Sequence, residues 1–217
     1  MKRRTLDFLF SIGGVGLAAL LLVIGVVMTG NANFSKRYVT DQLKQEKITF
    51  KTAATLTDEE KQAPCLVAYA GQALTTGKQA ECYANSFIGL HVKTTANGQT
   101  YAQLGDVQTG LRAQIATATK NGDPGVADLT KQLADITTQR ETVFKGETLR
   151  GILLTSYGFS VLGNKASQAA SVIYLGAALL ALLSASGFIH ALATPRNRAF
   201  AAPERVEATE ERTKVSV

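Results

Sequence analysis

The chain has few of the residue types that build catalytic and metal sites. Its 217 residues include two histidines, two cysteines and no tryptophan. Structural zinc usually takes about four ligands from Cys, His and carboxylates, and Ser-His-Asp or Cys-His catalysis requires a histidine beside its nucleophile. With only His91 and His190, a metal cluster lacks ligands, and such catalysis would depend on His91 alone. We therefore expect no catalytic residue, no cofactor-binding residue and no metal ligand, and a protein that is not an enzyme.

Charge is absent from two long stretches of the chain. Phe8–Ser35 and Ala166–Pro195 contain no Asp, Glu, Lys or Arg. Each holds about 20 mostly apolar residues, which is enough to cross a hydrocarbon core of about 30 Å as a helix. We therefore expect transmembrane helices at residues 8–30 and 166–194, with a polar central region at residues 31–165.

The first apolar stretch has an alternative interpretation as a cleaved signal peptide. A basic start and an apolar run are common to both kinds of segment, and Gly30-Asn31-Ala32 is a weak cleavage site. The apolar core runs from Phe8 to Met28, however, which is longer than the roughly 7–15 residues of a signal peptide. We favour a retained anchor.

The basic excess is interspersed and does not form a nucleic-acid-binding surface. Lys and Arg number 23 against 17 Asp and Glu, for a net charge of +6. A nucleic-acid interface concentrates Lys and Arg on one face, often together with aromatic residues. The sequence has no such stripe, so we expect no nucleic-acid partner.

Basic residues also flank the two apolar stretches. Lys2–Arg4 precede the first stretch, and Arg196 and Arg198 follow the second. Because positively charged flanks tend to stay in the cytoplasm, we expect a two-pass protein of the cell membrane with both termini cytoplasmic and the central region outside. Residues 1–7 would be a cytoplasmic head, and residues 195–217 a charged, disordered cytoplasmic tail.

The cysteine pair agrees with this orientation. Cys65 and Cys82 both lie in the central region, and paired cysteines outside the cytoplasm usually form a disulfide. A loop of this size would restrict the unfolded chain by about 3 kcal/mol. We predict a Cys65–Cys82 disulfide; two buried free thiols in a cytosolic loop are the alternative.

Hydrophobic periodicity predicts a helical central region. A polar helix is expected at residues 35–47, followed by a short extended piece at residues 48–51. Thr57–Glu60 matches a capping box that starts a short helix, and two helices follow at residues 66–74 and 79–92. The fold class is mainly α, with two transmembrane helices that flank a compact, helical, extracytoplasmic domain.

Two further helices are expected to form an antiparallel hairpin around the breaker Asn121–Gly125. Apolar residues recur every three to four positions on both sides, and only Arg140 interrupts the second series. Such a seam packs a helix pair on itself or on the cysteine-bearing helices; a partner-binding coiled coil is the alternative. The seam consists of Val107, Leu111, Ile115 and Ala118, then Val126, Leu129, Leu133, Ile136 and Val143.

A short uncharged segment, Gly151–Gly163, precedes the second apolar stretch. At about 13 residues it is too short to span a bilayer, and Asn164-Lys165 separates it from that stretch. We expect a separate helix that lies on the outer leaflet or against the underside of the central region. Exposed there, Leu153, Leu154 and Phe159 would mark a contact with membrane or protein.

Small residues recur along the predicted second span. Gly176, Ala177, Ala181, Ser184 and Gly187 recur near a spacing of three to four residues. Because small residues allow transmembrane helices to approach closely, we predict that this face contacts an integral membrane protein partner within the bilayer.

Three local strings are also informative together. Glu46–Thr49, Gly98–Leu104 and Phe144–Leu154, with the hairpin and the two apolar stretches, resemble a family of small actinobacterial two-span membrane proteins of uncharacterised function. Members of that family often carry the automatic label of an aromatic ring-opening dioxygenase subunit. The resemblance implies a two-span envelope protein and supplies no catalytic residue.

The dioxygenase label disagrees with the residues present. Ring-opening iron enzymes need a cluster of His and carboxylate ligands. His91 lies in the central region and His190 near the inner end of the second span, so the predicted topology places them on opposite sides of the membrane.

The expected function is therefore that of a non-catalytic accessory or scaffold subunit of a larger bacterial membrane complex. An actinobacterial respiratory supercomplex is one candidate host, indicated by the class of protein rather than by any residue. The alternative is an extracytoplasmic membrane protein that binds a ligand or an envelope component.

Overall fold

The computed structural model describes residues 3–195, and over this range the chain is mainly helical without a β-strand. The mainly α fold class is confirmed. The elements are α1 (Arg3–Gln45), a 3-10 turn (Ala53–Thr55), α2 (Asp58–Lys61), α3 (Pro64–Ala68), α4 (Gly77–Cys82), a π-helical segment (Tyr83–Ile88), α5 (Gly89–Thr95), α6 (Tyr101–Lys120) and α7 (Val126–Ala193).

α1 and α7 are each long and apolar enough to cross a membrane, by length and composition. Two such helices indicate a membrane protein. The chain divides into two compact units: the apolar pair, of residues 3–27 and 169–195, and the central region, of residues 28–168. The tail predicted to be disordered lies, from residue 196 onward, outside the described residues.

Small residues hold the apolar pair together. Gly14 lies against Ser184, and Gly187 lies against Ser11, so closely that a Cβ added at either glycine would collide with the facing hydroxyl. Ala177 is fully buried in the same pair. Lipid does not drive helices together as water does, so close approach of small residues provides the contacts. The large apolar side chains of the pair remain exposed.

One end of the apolar pair carries a polar and an aromatic contact. His190 Nδ1 lies 3.1 Å from an oxygen of Asp7, and the rings of Phe8 and Phe188 meet edge-on with centroids 5.9 Å apart. An acid near a helix N-terminus and a base in a last turn also complement the two helix dipoles. These contacts join the beginning of α1 to the end of α7.

The segment after α1 pairs with a second extended segment. Thr49 forms an isolated antiparallel bridge with Ala73, and backbone hydrogen bonds flank the bridge. The extended piece predicted at residues 48–51 is present. Because Ala73 and its neighbours pair with it, the helix predicted at residues 66–74 is shorter and ends at Ala68.

The predicted disulfide is also present. It joins Cys65 of α3 to Cys82 of α4, with the Cα atoms 6.0 Å apart. Both helices pack on one apolar core, to which α1 and α7 contribute as well. The buried members of this core are Val39, Leu43, Phe50, Leu56, Leu66, Leu74, Ala80, Cys82, Ala84, Ile88 and Leu153.

α6 and α7 form the predicted hairpin, but polar contacts hold much of it. Leu104 and Val143 are buried in a small apolar cluster. Further along, Gln108 Nε2 donates to Thr137 Oγ1 at 2.6 Å, and Arg140 Nη1 donates to Gln108 Oε1 at 3.0 Å. The arginine that interrupts the apolar series is therefore a central contact of the hairpin.

The separate helix predicted at Gly151–Gly163 is wrong, because these residues belong to α7. Asn164-Lys165 does not break the helix, since exposed polar residues are tolerated within a helix. The expected exposure of Leu153 and Leu154 is wrong as well. Leu153 is 1% exposed in the core, and Leu154 packs against that core. Phe159 remains 49% exposed.

Candidate functional site

The central region contains a polar cavity of about 960 Å³. α2 and the turn after it, the π-helical segment, α5, the start of α6 and the middle of α7 contribute to its wall. The lining residues are Glu59, Gln62, Ala63, Asn85, Ser86, Gly89, Leu90, Val92, Lys93, Gly98, Gln99, Thr100, Tyr101, Ala102, Glu147 and Arg150. Most of them carry polar side chains, while apolar atoms make up the larger part of the lining surface, so the cavity is suited to a ligand with both polar groups and apolar faces.

The π-helical segment brings Asn85 and Ser86 to the cavity. A π turn is a rare deviation from the α-helix and is frequent at functional sites. The sequence predicted one continuous helix at residues 79–92, and no residue in that stretch signals the π turn. These cavity residues were therefore missed.

Arg150 is the cation with the most contacts in the cavity wall. Its Nη1 lies 3.2 and 3.3 Å from the two carboxylate oxygens of Glu147, and its Nη2 donates to Asn85 Oδ1 at 3.3 Å. Its Nε is buried and has no hydrogen-bond partner among the described residues. Strong charge-assisted bonds are usually about 2.7–2.9 Å long, so the guanidinium retains donor capacity.

The charges that line the cavity are balanced. Glu59 and Glu147 stand against Lys93 and Arg150. Glu147 and Arg150 pair with each other, whereas none of the ion pairs within residues 3–195 includes Glu59 or Lys93. The cavity therefore offers charged and polar groups without a net formal charge.

A buried carboxylate holds α2 beside the cavity. Glu60 is completely buried and accepts hydrogen bonds from Lys51 Nζ and from the backbone nitrogen of Thr57, both at 2.8 Å. Thr57 Oγ1 accepts from the Glu60 backbone nitrogen, which completes the predicted capping box. His91 Nε2 lies 3.5 Å from the same carboxylate. These contacts fix the position of Glu59, which lines the cavity.

Opposing effects set the pKa of Glu60. Burial raises the pKa because the charged form loses hydration, whereas hydrogen bonds from Lys51 and the Thr57 backbone, and the charges of Lys51 and His91, lower it. The net pKa lies below its ordinary value. Glu60 is therefore ionised at neutral pH and supports α2 as a charged group.

Aromatic rings surround this carboxylate network. Lys51 Nζ lies 5.3 Å from the centroid of the Phe87 ring, and that ring contacts His91 and Tyr83 with centroids 4.4 and 4.7 Å apart. Burial, and after it the charge of Glu60, raises the pKa of the Tyr83 hydroxyl. The rings connect the π-helical segment to the network and so help to fix the cavity wall.

His91 is held by protein groups on both sides of its ring. Its Nδ1 lies 2.7 Å from Phe87 O, and its Nε2 faces Glu60. Within residues 3–195, no group of three or more His, Cys, Asp and Glu side chains is placed to hold a metal ion. The side chains that line the cavity support hydrogen bonding and ionic contacts.

A second concave surface, the apolar groove, lies between α1 and α7 within the central region and has a volume of about 330 Å³. Ile152 on its wall is 59% exposed and Phe159 is 49% exposed. Beside it, the rings of Phe34 and Tyr38 stack with centroids 5.7 Å apart. The groove is lined by Tyr38, Val39, Gln42, Leu43, Glu46, Leu149, Ile152, Leu153, Thr155, Ser156 and Phe159.

The predicted partner-contact residues are divided between the two units. Phe159 lines the apolar groove, with Leu153 at its base. Gly176, Ala177, Ser184 and Gly187 lie in the apolar pair, where Ser184 and Gly187 face the first helix of the same chain. The small residues therefore serve a helix contact within the chain.

Most of the cavity residues had no signal in the sequence. They come from segments far apart in the chain, and most are ordinary polar residues of a helix or a turn. The capping box at Thr100 was a detectable signal, because it marks a helix start, and that start forms part of the wall.

No protein-family model matches this chain, and no curated protein or solved structure matches it.

Proposed function

We propose that the protein is a non-catalytic accessory or scaffold subunit of a larger membrane complex. The apolar groove is the observation that carries this proposal. Large apolar side chains exposed together usually mark a contact with another protein or a membrane. Ile152 and Phe159 form such a surface, whereas the leucines of the core are buried.

The proposal includes a two-pass orientation in the cell membrane, with both termini cytoplasmic and the central region outside. The basic flanks of the apolar stretches support it, and so does the Cys65–Cys82 disulfide.

An integral membrane protein suits the groove better than a lipid does. Gln42 and Glu46 line it beside the apolar side chains. A lipid chain would cover these polar groups without offering a hydrogen-bond partner, which is unfavourable. The outer end of a partner's transmembrane helix presents both apolar and polar side chains, so it is the proposed occupant.

The resemblance to small actinobacterial two-span proteins is consistent with this role. An actinobacterial respiratory supercomplex is one candidate host. A second candidate function, the binding of a ligand or envelope component, is favoured by the polar cavity.

Co-purification in a mild detergent tests the accessory role. With Phe159→Ser, recovery of a stoichiometric membrane partner should fall about tenfold, since a central interface aromatic contributes roughly 1–2 kcal/mol or more. Phe144→Ser is the matched control, because Phe144 is an exposed aromatic of α7 outside the groove. Equal recovery with both variants, or a protein that purifies without any partner, would contradict the proposal.

Labelling tests the orientation separately. In intact cells, a membrane-impermeant reagent should label a cysteine introduced at Asn121 but not one introduced at Thr209. Labelling at Thr209 alone would reverse the orientation and leave the co-purification result unaffected.

A further inference from the structure

We propose that the polar cavity of the central region binds a short, uncharged oligosaccharide. The cavity is separate from the apolar groove, and the two share no lining residue. The inference therefore does not depend on the proposed accessory role. Its volume of about 960 Å³ is near the upper end of the usual ligand-site range of roughly 300–1,000 Å³.

The hydrogen-bonding chemistry of the wall suits the hydroxyl groups of a sugar. Gln62, Asn85 and Gln99 line the cavity with amide side chains, and each amide both donates and accepts hydrogen bonds. Neighbouring hydroxyls of a sugar also donate and accept, so one amide can contact two of them. Ser86 and Thr100 add hydroxyl groups of the same kind.

The charges of the wall are balanced, which favours a neutral ligand. An anionic ligand at Arg150 would also approach Glu147, which pairs with it, and a cationic ligand at Glu147 would approach Arg150. Like charges at close range are unfavourable. The hydroxyl groups of a neutral ligand can accept hydrogen bonds from Lys93 and Arg150 and donate hydrogen bonds to Glu59 and Glu147. Such a ligand can therefore bond to all four charged groups.

Arg150 has terminal nitrogens with donor capacity to spare. Their contacts with Glu147 and Asn85 lie between 3.2 and 3.3 Å, whereas Nε is buried and is not reached from the cavity. A guanidinium has five N–H donors in a rigid plane. Ligand oxygens would complete the bonds that the wall leaves long.

An aromatic ring at the cavity wall also suits a sugar. Tyr101 lines the cavity and is 41% exposed. Its ring is held in place by Arg140, whose guanidinium carbon lies 4.1 Å from the ring centroid. A sugar ring has an apolar C–H face as well as hydroxyls, and an aromatic ring held in place is a suitable surface for that face.

The test uses the full-length protein in lipid nanodiscs, because alkyl-glycoside detergents would compete for the site. Maltotetraose and chitotetraose serve as neutral probes, with tetra-alanine and inorganic phosphate as zwitterionic and anionic comparisons. Calorimetric titration should show saturable binding of at least one tetrasaccharide and none of either comparison compound. Binding of only the peptide or phosphate would overturn the ligand class, and binding of no probe would overturn the site.

Two variants locate the binding. Gln62→Ala and Gln99→Ala should each weaken the tetrasaccharide affinity by about three- to tenfold, the usual effect of losing one hydrogen bond. Gln132→Ala is the matched control, because Gln132 is an exposed glutamine of α7 outside the cavity. Equal affinity in all three variants would place the sugar elsewhere and overturn the proposal. Unchanged circular dichroism would show that the variants remain folded.

Discussion

The apolar pair and the central region are both helical, but they bury opposite kinds of side chain. The apolar pair buries Ser11, Ala177 and Ser184 and exposes its leucines and valines. The central region buries leucines such as Leu66, together with the charged Glu60. The difference follows from the solvent: small residues bring helices together in lipid, whereas water drives large apolar side chains inward.

The largest expected effect is the loss of the disulfide, which belongs to the central region alone. The bond joins residues separated by 17 positions, and removing a native disulfide from a small domain typically costs about 2–5 kcal/mol. Replacement of Cys65 and Cys82 by Ser should therefore lower the protease resistance of the central region strongly. Pulse proteolysis in urea measures this cost.

The apolar pair is the internal control for that variant. Its membrane insertion, measured as resistance to alkaline extraction, should be unchanged, because none of its contacts involves the two cysteines. A double variant that resists protease as well as the original protein would show that the disulfide does not support the central fold.

Overpacking at Gly14 is expected to have the next largest effect, on the apolar pair alone. Gly14→Leu would collide with Ser184, and overpacking usually costs about 1–3 kcal/mol. Oxidative cross-linking between Phe8→Cys and Phe188→Cys, whose rings meet in the original pair, should fall severalfold.

Gly16→Leu is the matched control, since nothing lies within 4 Å of a Cβ added at Gly16. Cross-linking should be normal in this variant. Equal yields from Gly14→Leu and Gly16→Leu would mean that small residues do not set the spacing of the apolar pair.

The helical outline could be predicted from the sequence because its signals are local. Uncharged length predicted the apolar helices, the Thr57 capping box predicted α2, and Asn121–Gly125 predicted the turn before α7. Packing between residues far apart in the chain was harder to predict from the sequence. A break after Gly163 was expected because of composition, but helix continuity depends on what the α7 side chains bury, and Leu153 is buried in the core.

The candidate sites were harder to predict than the fold. Small residues at Gly176–Gly187 correctly indicated close helix packing, but spacing alone does not distinguish a partner helix from the chain's own α1. The cavity was missed because Gln62, Asn85 and Arg150 lie far apart in the sequence. Only the fold brings their ordinary polar side chains to one wall.

A smaller effect is expected from Glu60, which tests the buried charge of the central region. Because the pKa of Glu60 is lowered in the folded protein, its carboxylate stabilises the fold at pH values above the unfolded pKa of about 4.3. That contribution is lost as the pH falls through the folded pKa. Glu60→Gln keeps the capping geometry but removes the charge. We therefore expect the free energy of unfolding to fall by about 1–2 kcal/mol at neutral pH.

Urea unfolding at several pH values measures this contribution. The original protein should lose more stability than Glu60→Gln between pH 6 and pH 3, so the two curves should converge in acid. Glu59→Gln is the control, because Glu59 has no ion pair among the described residues. If the stability curves of the original protein and Glu60→Gln stayed parallel as the pH falls, the charge of Glu60 would not stabilise the fold.

The smallest effect concerns the contact between Asp7 and His190 in the apolar pair. Asp7→Asn keeps the shape of the side chain but weakens this contact, which is 3.1 Å long and partly exposed. Exposed polar contacts of this kind contribute about 0–1 kcal/mol, so the Phe8→Cys/Phe188→Cys cross-linking yield should fall less than twofold, far less than with Gly14→Leu. Asp41→Asn, on the part of α1 within the central region, should not change the yield. If Asp7→Asn lowered cross-linking as much as Gly14→Leu, a polar contact rather than small-residue packing would hold the apolar pair, and the contrast between the two units would fail.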